Sequence, residues 1–197
     1  MSQKDRFPPT PDHGHEYEAL LRILVSVLGD RRADYVSSPL TGGPRFVEWF
    51  QTEGRNLVAG TPKYRERHNE FVVRPNIAAA REVAERLRLM GEVVIEPTSF
   101  DSPHWTQNDY RHLWGLVIQR HVKQVFLVDG WEFSSGCAYE YWIAASAGIE
   151  TVTEDGTRIE QQMGIAAVRS AMREMQKVGI STEFAQEVWL RLSGRAT

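Results

Sequence analysis

The sequence has little cysteine, no long apolar run and no long block of like charge. Its single cysteine, Cys137, excludes an intrachain disulfide framework and any metal site built from several cysteines. The apolar stretches fall short of the roughly 20 residues that span a bilayer, and the opening residues, MSQKDRFPPTPDHGH, lack the apolar core of a signal peptide. With a net charge of -3, the chain shows no basic run suited to nucleic acid or membranes. We therefore expect a cytoplasmic protein that binds neither nucleic acid nor a membrane.

The length and composition predict one globular domain. The chain has 197 residues, of which 42% are hydrophobic and 25% are charged, and these are ordinary values for a compact domain. Residues 1–14 contain prolines and no apolar period, which predicts a disordered N-terminal arm. Residues 15–197 then form the single domain. Within it, residues 53–75 are polar and irregular, which predicts an inserted loop, and residues 157–197 add C-terminal helices.

Helical and strand patterns alternate along this domain. Apolar residues at helical spacing predict helices, and short apolar runs bounded by turns predict strands. The predicted helices span residues 16–28, 76–90, 106–121, 136–147, 157–177 and 182–192, and the predicted strands span residues 33–38, 93–95, 125–128 and 149–152. This alternation predicts a three-layer α/β/α sandwich, Rossmann-like (flavodoxin-like), with a mainly parallel sheet of four or five strands and extra C-terminal helices.

The ligand site of such a fold lies beyond the carboxyl ends of the strands. The turns at that edge span residues 37–44, 98–109 and 129–140. In the first turn, Gly42 allows a backbone to approach a ligand closely, although a plain turn explains the same residues. The third turn places Ser134, Ser135 and Gly136 at a helix start, which suits either a phosphate site or a simple helix cap.

Two carboxylates and two tryptophans in these turns are candidates for chemistry. Glu140 lies one turn inside a helix among aromatic residues, where it suits a nucleophile or general acid, or merely favours the helix dipole. Asp109 stands three residues after Thr106, which also fits a capping box. Trp105 and Trp131 are candidates to stack a nucleobase, although core packing explains most tryptophans. The histidines share no helix face at ligand spacing, so we expect no metal site.

Taken together, these turns resemble the nucleoside 2-deoxyribosyltransferase superfamily, and its small bacterial and phage members most of all. The stretch YVSSPLTG, which begins at Tyr35, is similar to the family's opening strand and Ser-Gly-Pro-Met-Thr-Gly turn, with Ser38 where glycine is usual. Residues 130–140, GWEFSSGCAYE, match every fixed position of Gly-Trp-Glu-x-Ser-x-Gly-x-x-x-Glu. Residues 107–110, QNDY, resemble an Asn-Asp-Leu stretch of the transferases. The resemblance covers residues 33–153.

The resemblance implies a role for each matched residue. Glu140 would attack the anomeric carbon of the sugar, and Asp109 would handle the proton of the leaving base. Ser134 stands where relatives that hydrolyse nucleoside 5′-monophosphates carry a serine against the phosphate, whereas transferases acting on free nucleosides carry an aspartate. The resemblance therefore implies a phosphorylated substrate. The phosphate site would comprise Ser134, Ser135 and Gly136, and the other binding residues would be Tyr35, Ser37, Ser38, Gly42, Trp105 and Trp131.

We therefore expect an enzyme that cleaves the N-glycosidic bond of a nucleoside 5′-monophosphate through a covalent glycosyl-Glu140 intermediate. It would act as a hydrolase or a base-exchanging transferase, on a nucleotide or nucleoside, with no metal or organic cofactor. Two alternatives stay open: a non-catalytic nucleotide sensor and a glycohydrolase of NAD-type dinucleotides. The resemblance further implies a homodimer or higher homo-oligomer. The C-terminal helices would either form its interface or cover their own sheet.

Overall fold

The computed structural model describes residues 14–102 and 104–194. The predicted arm lies outside the described residues except for Gly14, where the first helix begins. The helices are α1 (Gly14–Leu28), α2 (Pro44–Thr52), α3 (Pro62–His68), α4 (Arg74–Leu89), α5 (Gln107–His121), α6 (Ser135–Ser146), α7 (Gln161–Lys177) and α8 (Glu183–Leu192), and the strands are β1 (Ala33–Ser37), β2 (Val94–Ile95), β3 (Val122–Leu127) and β4 (Glu150–Thr153). Along these residues, no helix is long and apolar enough to cross a membrane.

Four parallel strands form the sheet of the described chain, in the order β2, β1, β3, β4. The parallel pairing follows from the connections, because helical segments carry the chain back across the sheet before each new strand begins. The central strand β1 is buried along its whole length, and its last residue, Ser37, pairs with Leu127 at the end of β3. The topology confirms the predicted α/β sandwich of Rossmann-like type.

Helices cover the two faces of the sheet unequally. On one face, α4 packs Val83 and Leu87 against Val36 and Phe126 of the central strands. On the other face, a larger core joins α1, α5, α6, α7 and α8 to Tyr35 and its neighbours. Successive side chains of a strand point to opposite faces, which is why Tyr35 and Val36 belong to different cores. The sheet is therefore the middle of three layers.

The predicted loop at residues 53–75 is largely helical, so that expectation is wrong. The segment contains α3, and a π-helical turn at Asn69–Val73 joins α3 directly to α4. This segment packs through aromatic side chains and not through a periodic apolar face. Tyr64 of α3 lies edge-on to the buried Trp49, with 5.0 Å between ring centroids. A periodic apolar face is the main sequence signal for a helix, and this segment lacks one.

Two helices also begin at residues other than those predicted. The helix predicted over residues 76–90 would have Asn76 as its cap, but α4 begins at Arg74, directly after the π-helical turn, and Asn76 lies inside α4 and is buried. The helix predicted from residue 157 begins instead at Gln161. Residues before it are extended because Arg158 forms an antiparallel bridge with Val152 of β4. In both places a tertiary contact decides the local structure.

Candidate active site

Glu140 lies at the carboxyl edge of the sheet, held by two hydroxyl groups of β1. Tyr35 donates a hydrogen bond from Oη to Glu140 Oε1 at 2.7 Å, and Ser37 donates from Oγ to Oε2 at 2.6 Å. Tyr35 and Ser37 are two residues apart in a strand and therefore face the same side, and both are fully buried. Each carboxylate oxygen has its own donor, so the carboxyl group is fixed in one orientation.

Burial and hydrogen bonding shift the pKa of Glu140 in opposite directions. Burial raises the pKa of Glu140 from 4.5 to about 7, although the hydrogen bonds from Ser37 and Tyr35 lower that pKa. Glu140 therefore changes charge near neutral pH. Burial, helped by the charge of Glu140, also raises the pKa of the Cys137 thiol to about 12. Cys137 stays a neutral thiol and a weak nucleophile, which leaves Glu140 as the nucleophile candidate of the site.

A pocket of about 790 Å³ opens beside Glu140, a size within the usual range for small-molecule sites. All three turns contribute to its wall: Gly42 comes from the first, Asp101 from the second and Ser134 from the third. The turns thus meet at one edge of the sheet, as the crossover topology predicts. Within residues 14–102 and 104–194, no cluster of His, Cys, Asp or Glu is arranged to hold a metal ion.

Asn76 fixes the backbone of the first turn. Its side-chain amide nitrogen donates to the carbonyl oxygen of Leu40 at 3.1 Å and to that of Gly42 at 3.0 Å, and its oxygen accepts from Arg45 Nη1 at 2.9 Å. These bonds tie the turn that carries Ser38 and Gly42 to the start of α4. The sequence gives no signal for this role, because an asparagine near a helix start is more simply explained as a cap.

Gly130 shapes the third turn. Its φ of 77° lies in the left-handed region, and a Cβ atom there would lie 2.2 Å from Cδ of Pro44, so that only glycine fits. Pro44 follows the first turn directly, and Gly42 faces the third turn, where its Cβ would lie 3.6 Å from the carbonyl oxygen of Phe133. The first and third turns therefore pack against each other at the pocket.

Ser134 is the N-cap of α6. Its Oγ accepts a hydrogen bond from the backbone N–H of Cys137 at 3.4 Å, so the capping role that the sequence allowed is realised. Ser135 and Gly136 are the first two residues of the helix, where N–H groups have no carbonyl partner within the helix. All three residues line the pocket. The turn therefore combines a capped helix start with backbone donors that favour an anion.

Asp109 lies outside the pocket wall, fully buried at the start of α5. Its Oδ2 accepts from the backbone N–H of Thr106 at 2.7 Å and from the Thr106 hydroxyl at 2.6 Å. Tyr17 of α1 donates a hydrogen bond to the other oxygen, Oδ1. Of the two roles open to Asp109, the geometry is that of the capping box. The structure does not bring Asp109 to the pocket beside Glu140.

Trp105 and Trp131, the candidates for base stacking, also lie outside the pocket wall. Trp105 donates from Nε1 to Glu16 at 2.7 Å and packs edge-on against Tyr17. Trp131 is buried against Tyr141, with 4.8 Å between ring centroids. Both tryptophans thus have structural contacts that do not involve the pocket.

Other rings line the pocket instead. Trp114 packs edge-on against Tyr35 with 6.1 Å between ring centroids, and Phe100 packs edge-on against Trp114 at 5.7 Å. The signal for this wall was present in the sequence, because residues spaced i, i+3, i+4 and i+7 share one helix face. In α5 those pocket-lining residues are Gln107, Tyr110, Arg111 and Trp114.

Fold and site together define a three-layer α/β protein with a half-buried carboxylate, Glu140, in the wall of a pocket at the carboxyl edge of a parallel sheet. Residues 72–153 match the model of a protein family described as a domain of unknown function, DUF4406. The matched segment covers less than half of the chain; it includes Asn76, Ser134 and Glu140 but not β1. No curated protein and no solved structure matches the chain.

Proposed function

We propose that this protein cleaves the N-glycosidic bond of a nucleoside 5′-monophosphate unit, with Glu140 as the nucleophile. The observation that carries the proposal is the hydrogen bonding of Glu140, whose two oxygens are each held by a buried hydroxyl group of β1 beside a nucleotide-sized pocket. Glu140 is half-buried, its carboxyl group is bound by neutral hydroxyl groups, and it forms no ion pair in the described part of the chain. A desolvated carboxylate without a cation is costly to the fold, so this placement supports a chemical role.

The reaction divides into two displacements at the anomeric carbon. In the first, a Glu140 oxygen forms a bond to C1′ while the C1′–N bond breaks, and the base leaves with the electron pair of that bond and takes up a proton. In the second, water attacks C1′ and gives up a proton, and the ester bond to Glu140 breaks. The products are the free base and the sugar 5-phosphate, and Glu140 is regenerated as a carboxylate. A second base in place of water would give base exchange.

The third turn supplies a place for the 5′-phosphate. Ser134, Ser135 and Gly136 line the pocket at the N-terminus of α6, and Glu140 lies further along the same helix. A helix N-terminus stabilises a negative group by its free N–H donors and by the helix dipole. The motif resemblance at Ser134 supports the same substrate, a phosphorylated nucleoside rather than a free one.

The proton transfers need a group in the pocket wall. The motif resemblance gives this role to Asp109, but Asp109 is buried in the capping box of α5. Asp101 follows β2 and lines the pocket, with its Oδ1 3.3 Å from the hydroxyl oxygen of Tyr110. We therefore assign to Asp101 the acid role toward the leaving base and the base role toward water.

The base would lie against the apolar part of the pocket. Rings and aliphatic side chains there suit a planar heterocycle, because aromatic faces stack on bases of any sequence. The residues of this wall are Phe46, Val73, Ile77, Pro97, Phe100 and Trp114.

The test is a chromatographic assay of base release at pH 8 from nucleoside 5′-monophosphates, the matching deoxynucleotides, the free nucleosides and NAD. Glu140→Gln serves as the inactive variant, and Glu150→Gln, an exposed change on β4, serves as its matched control. We expect release from phosphorylated substrates that disappears with Glu140→Gln and persists with Glu150→Gln. No release from any compound, together with nucleotide-dependent thermal stabilisation, would overturn the proposal and favour a nucleotide sensor.

A further inference from the structure

Arg111 is a cation in the pocket wall that the proposed reaction does not use. It lies on the pocket face of α5, one helical turn before Trp114. Trp114 packs near Tyr35, the donor to Glu140, and Arg111 lies about one turn, roughly 5 Å along the helix axis, nearer to the N-terminus of α5 than Trp114. The pocket lining also includes residues of the turn between α7 and α8 and of the start of α8, among them Ser181, Thr182 and Phe184.

The guanidinium of Arg111 has unused hydrogen-bonding capacity. Within the described part of the chain its one hydrogen bond runs from Nη1 to Asn108 Oδ1 at 3.1 Å, and its Nε is buried without a partner. The carbon Cζ lies over the ring of Phe184, 3.6 Å from the ring centroid, so the aromatic ring supports the guanidinium group. Planar, platform-held guanidinium groups are suited to phosphate and carboxylate ligands.

No carboxylate of the described chain forms an ion pair with Arg111. Burial lowers the pKa of the Arg111 guanidinium, and the charge of Glu187 on α8 acts against that effect. Glu187, however, forms its ion pair with Arg191. Glu183, which also lines the pocket, is exposed to solvent. A half-buried cation without an anionic partner is costly to the fold, and a ligand anion would offset that cost.

The pocket lining includes both apolar and polar residues. The apolar residues assigned above to the base come from α2, the turn before α4, α4 itself, the segment after β2, and α5. The polar residues include Ser134 at the start of α6, the hydroxyl-bearing Ser181 and Thr182, and Arg111. One phosphate can occupy the helix start beside Ser134. The pocket, at about 790 Å³, lies toward the upper end of the usual range for such sites, roughly 300–1,000 Å³.

We propose that Arg111 binds a second phosphoryl group of the substrate, so that the nucleotide unit is taken preferentially with a 5′-pyrophosphate. This inference rests on the proposed function for the placement of the first phosphate at the start of α6. The shared chemistry is the pyrophosphate, whose source is either a nucleoside diphosphate or a pyrophosphate-linked dinucleotide. Arg111 would then set this preference, with Phe184 of α8, which lies outside the matched family segment, as the ring beneath it.

The test is a set of calorimetric binding measurements in a Glu140→Gln background, which prevents turnover. The probes are adenosine, AMP, ADP and NAD. The variants are Arg111→Gln and Arg111→Lys, and the matched control is Arg169→Gln, an exposed arginine whose Cζ lies 5.6 Å from the ring centroid of Trp189. Thermal unfolding of each variant checks that the loss of the Phe184 contact has not unfolded the protein.

We expect ADP or NAD to bind about tenfold or more tightly than AMP, as befits one additional charge-assisted contact. Arg111→Gln should abolish the tighter binding of ADP or NAD relative to AMP and change the affinity for AMP less than about twofold. Arg111→Lys should keep part of this difference in affinity, and Arg169→Gln should keep all of it. Equal weakening of AMP and ADP by Arg111→Gln would overturn the inference and place Arg111 on the first phosphate. Equal affinity of AMP, ADP and NAD for the protein with Arg111 intact would also overturn it.

These outcomes separate the inference from the proposed function. Base release from monophosphates without any pyrophosphate preference would leave the N-glycosidase proposal standing and overturn the role of Arg111. Arg111-dependent preference for ADP or NAD without base release would support the role of Arg111 and overturn the N-glycosidase proposal. If ADP and NAD bind with different affinities, the ligand that binds more tightly identifies the source of the pyrophosphate.

Discussion

The hydroxyl oxygen of Tyr35 lies 2.7 Å from Oε1 of Glu140 and donates a hydrogen bond to it. A hydrogen bond to a charged group contributes roughly 1.5–3 kcal/mol. This one favours the ionised form of Glu140, which is the form that the proposed reaction requires. In that proposal the hydrogen bond both orients Glu140 and influences the pH at which base release begins.

Tyr35→Phe should shift the pH dependence of base release. The hydrogen bond from Tyr35 lowers the pKa of Glu140, which is about 7 with that bond present, so its loss should move the rising limb of the pH–rate profile to higher pH. We expect a loss of about tenfold or more at pH 7 that is partly recovered at pH 9. Tyr141→Phe, which removes a buried hydroxyl 3.5 Å from the carbonyl oxygen of Gln161, is the control. A profile that falls in height without moving along the pH axis would contradict this account.

Glu140→Gln should stabilise the folded protein at high pH. The pKa of Glu140 is raised from 4.5 to about 7 in the folded state, so the folded state binds the proton more tightly than the unfolded chain, and the wild type loses stability as the pH rises through that interval. Glutamine carries no charge and escapes that loss. We expect a gain of up to about 3 kcal/mol in the free energy of unfolding at pH 8.

Urea unfolding of both proteins from pH 4 to pH 8 measures this difference. The gain from Glu140→Gln should be smallest near pH 4 and should grow between pH 4.5 and pH 7. A difference in the free energy of unfolding that is constant with pH, or that is largest in acid, would show that the protein does not shield the carboxyl group of Glu140 from solvent.

Asp101 and Asp109 should separate into an activity role and a stability role. Asp109→Ala removes the capping acceptor of Thr106 and the acceptor of the hydrogen bond that Tyr17 donates, which should lower the free energy of unfolding by about 2 kcal/mol or more. Asp101→Asn should leave stability nearly unchanged, because Asp101 is exposed, and should lower base release by about a hundredfold or more.

Parallel measurement of urea unfolding and turnover for both variants tests this assignment. Asp109→Asn, which keeps one oxygen acceptor for Thr106, is the milder companion to Asp109→Ala. Loss of turnover in a well-folded Asp109→Asn, with Asp101→Asn active, would return the acid role to Asp109.

Asn76→Ala should loosen the first turn. The change leaves the carbonyl oxygens of Leu40 and Gly42 without their side-chain donor, which should cost about 1–3 kcal/mol in the free energy of unfolding. Because Gly42 lines the pocket, the KM for the nucleotide should rise more than kcat falls. Asn56→Ala, at an exposed asparagine, should change neither. An unchanged KM in a destabilised Asn76→Ala protein would confine Asn76 to a purely structural role.

The elements around the site follow from local sequence signals. Two of these elements can be recognised in the sequence: the apolar run of β3, and the turn and helix start from Gly130 to Glu140. Strands and helix starts depend mainly on neighbouring residues, which is why they can be predicted. The parallel order of β1 and β3 then brings the strand ends, and with them Ser37 and Glu140, to one edge. Fold class and nucleophile candidate were therefore accessible from sequence.

The remaining features depend on contacts between distant residues. In the sequence, Asp109 fits a capping role and an active-site role equally well. In the structure its carboxylate accepts hydrogen bonds from Thr106 and from Tyr17, which lies 92 residues away, and these contacts identify the capping role. Trp114 lies on α5 and lines the pocket, whereas Trp105 precedes that helix, donates to Glu16 and does not line the pocket, a distinction that a count of tryptophans does not make.

The most direct test of the central claim is the stereochemistry of transfer to methanol. With the best substrate from the base-release assay, the reaction in aqueous methanol should yield a methyl glycoside 5-phosphate, whose anomeric configuration is read by NMR. Two displacements through Glu140 predict the same configuration as in the substrate, and no methyl glycoside from Glu140→Gln. An inverted product, or one formed equally well by Glu140→Gln, would contradict a covalent glycosyl-Glu140 intermediate.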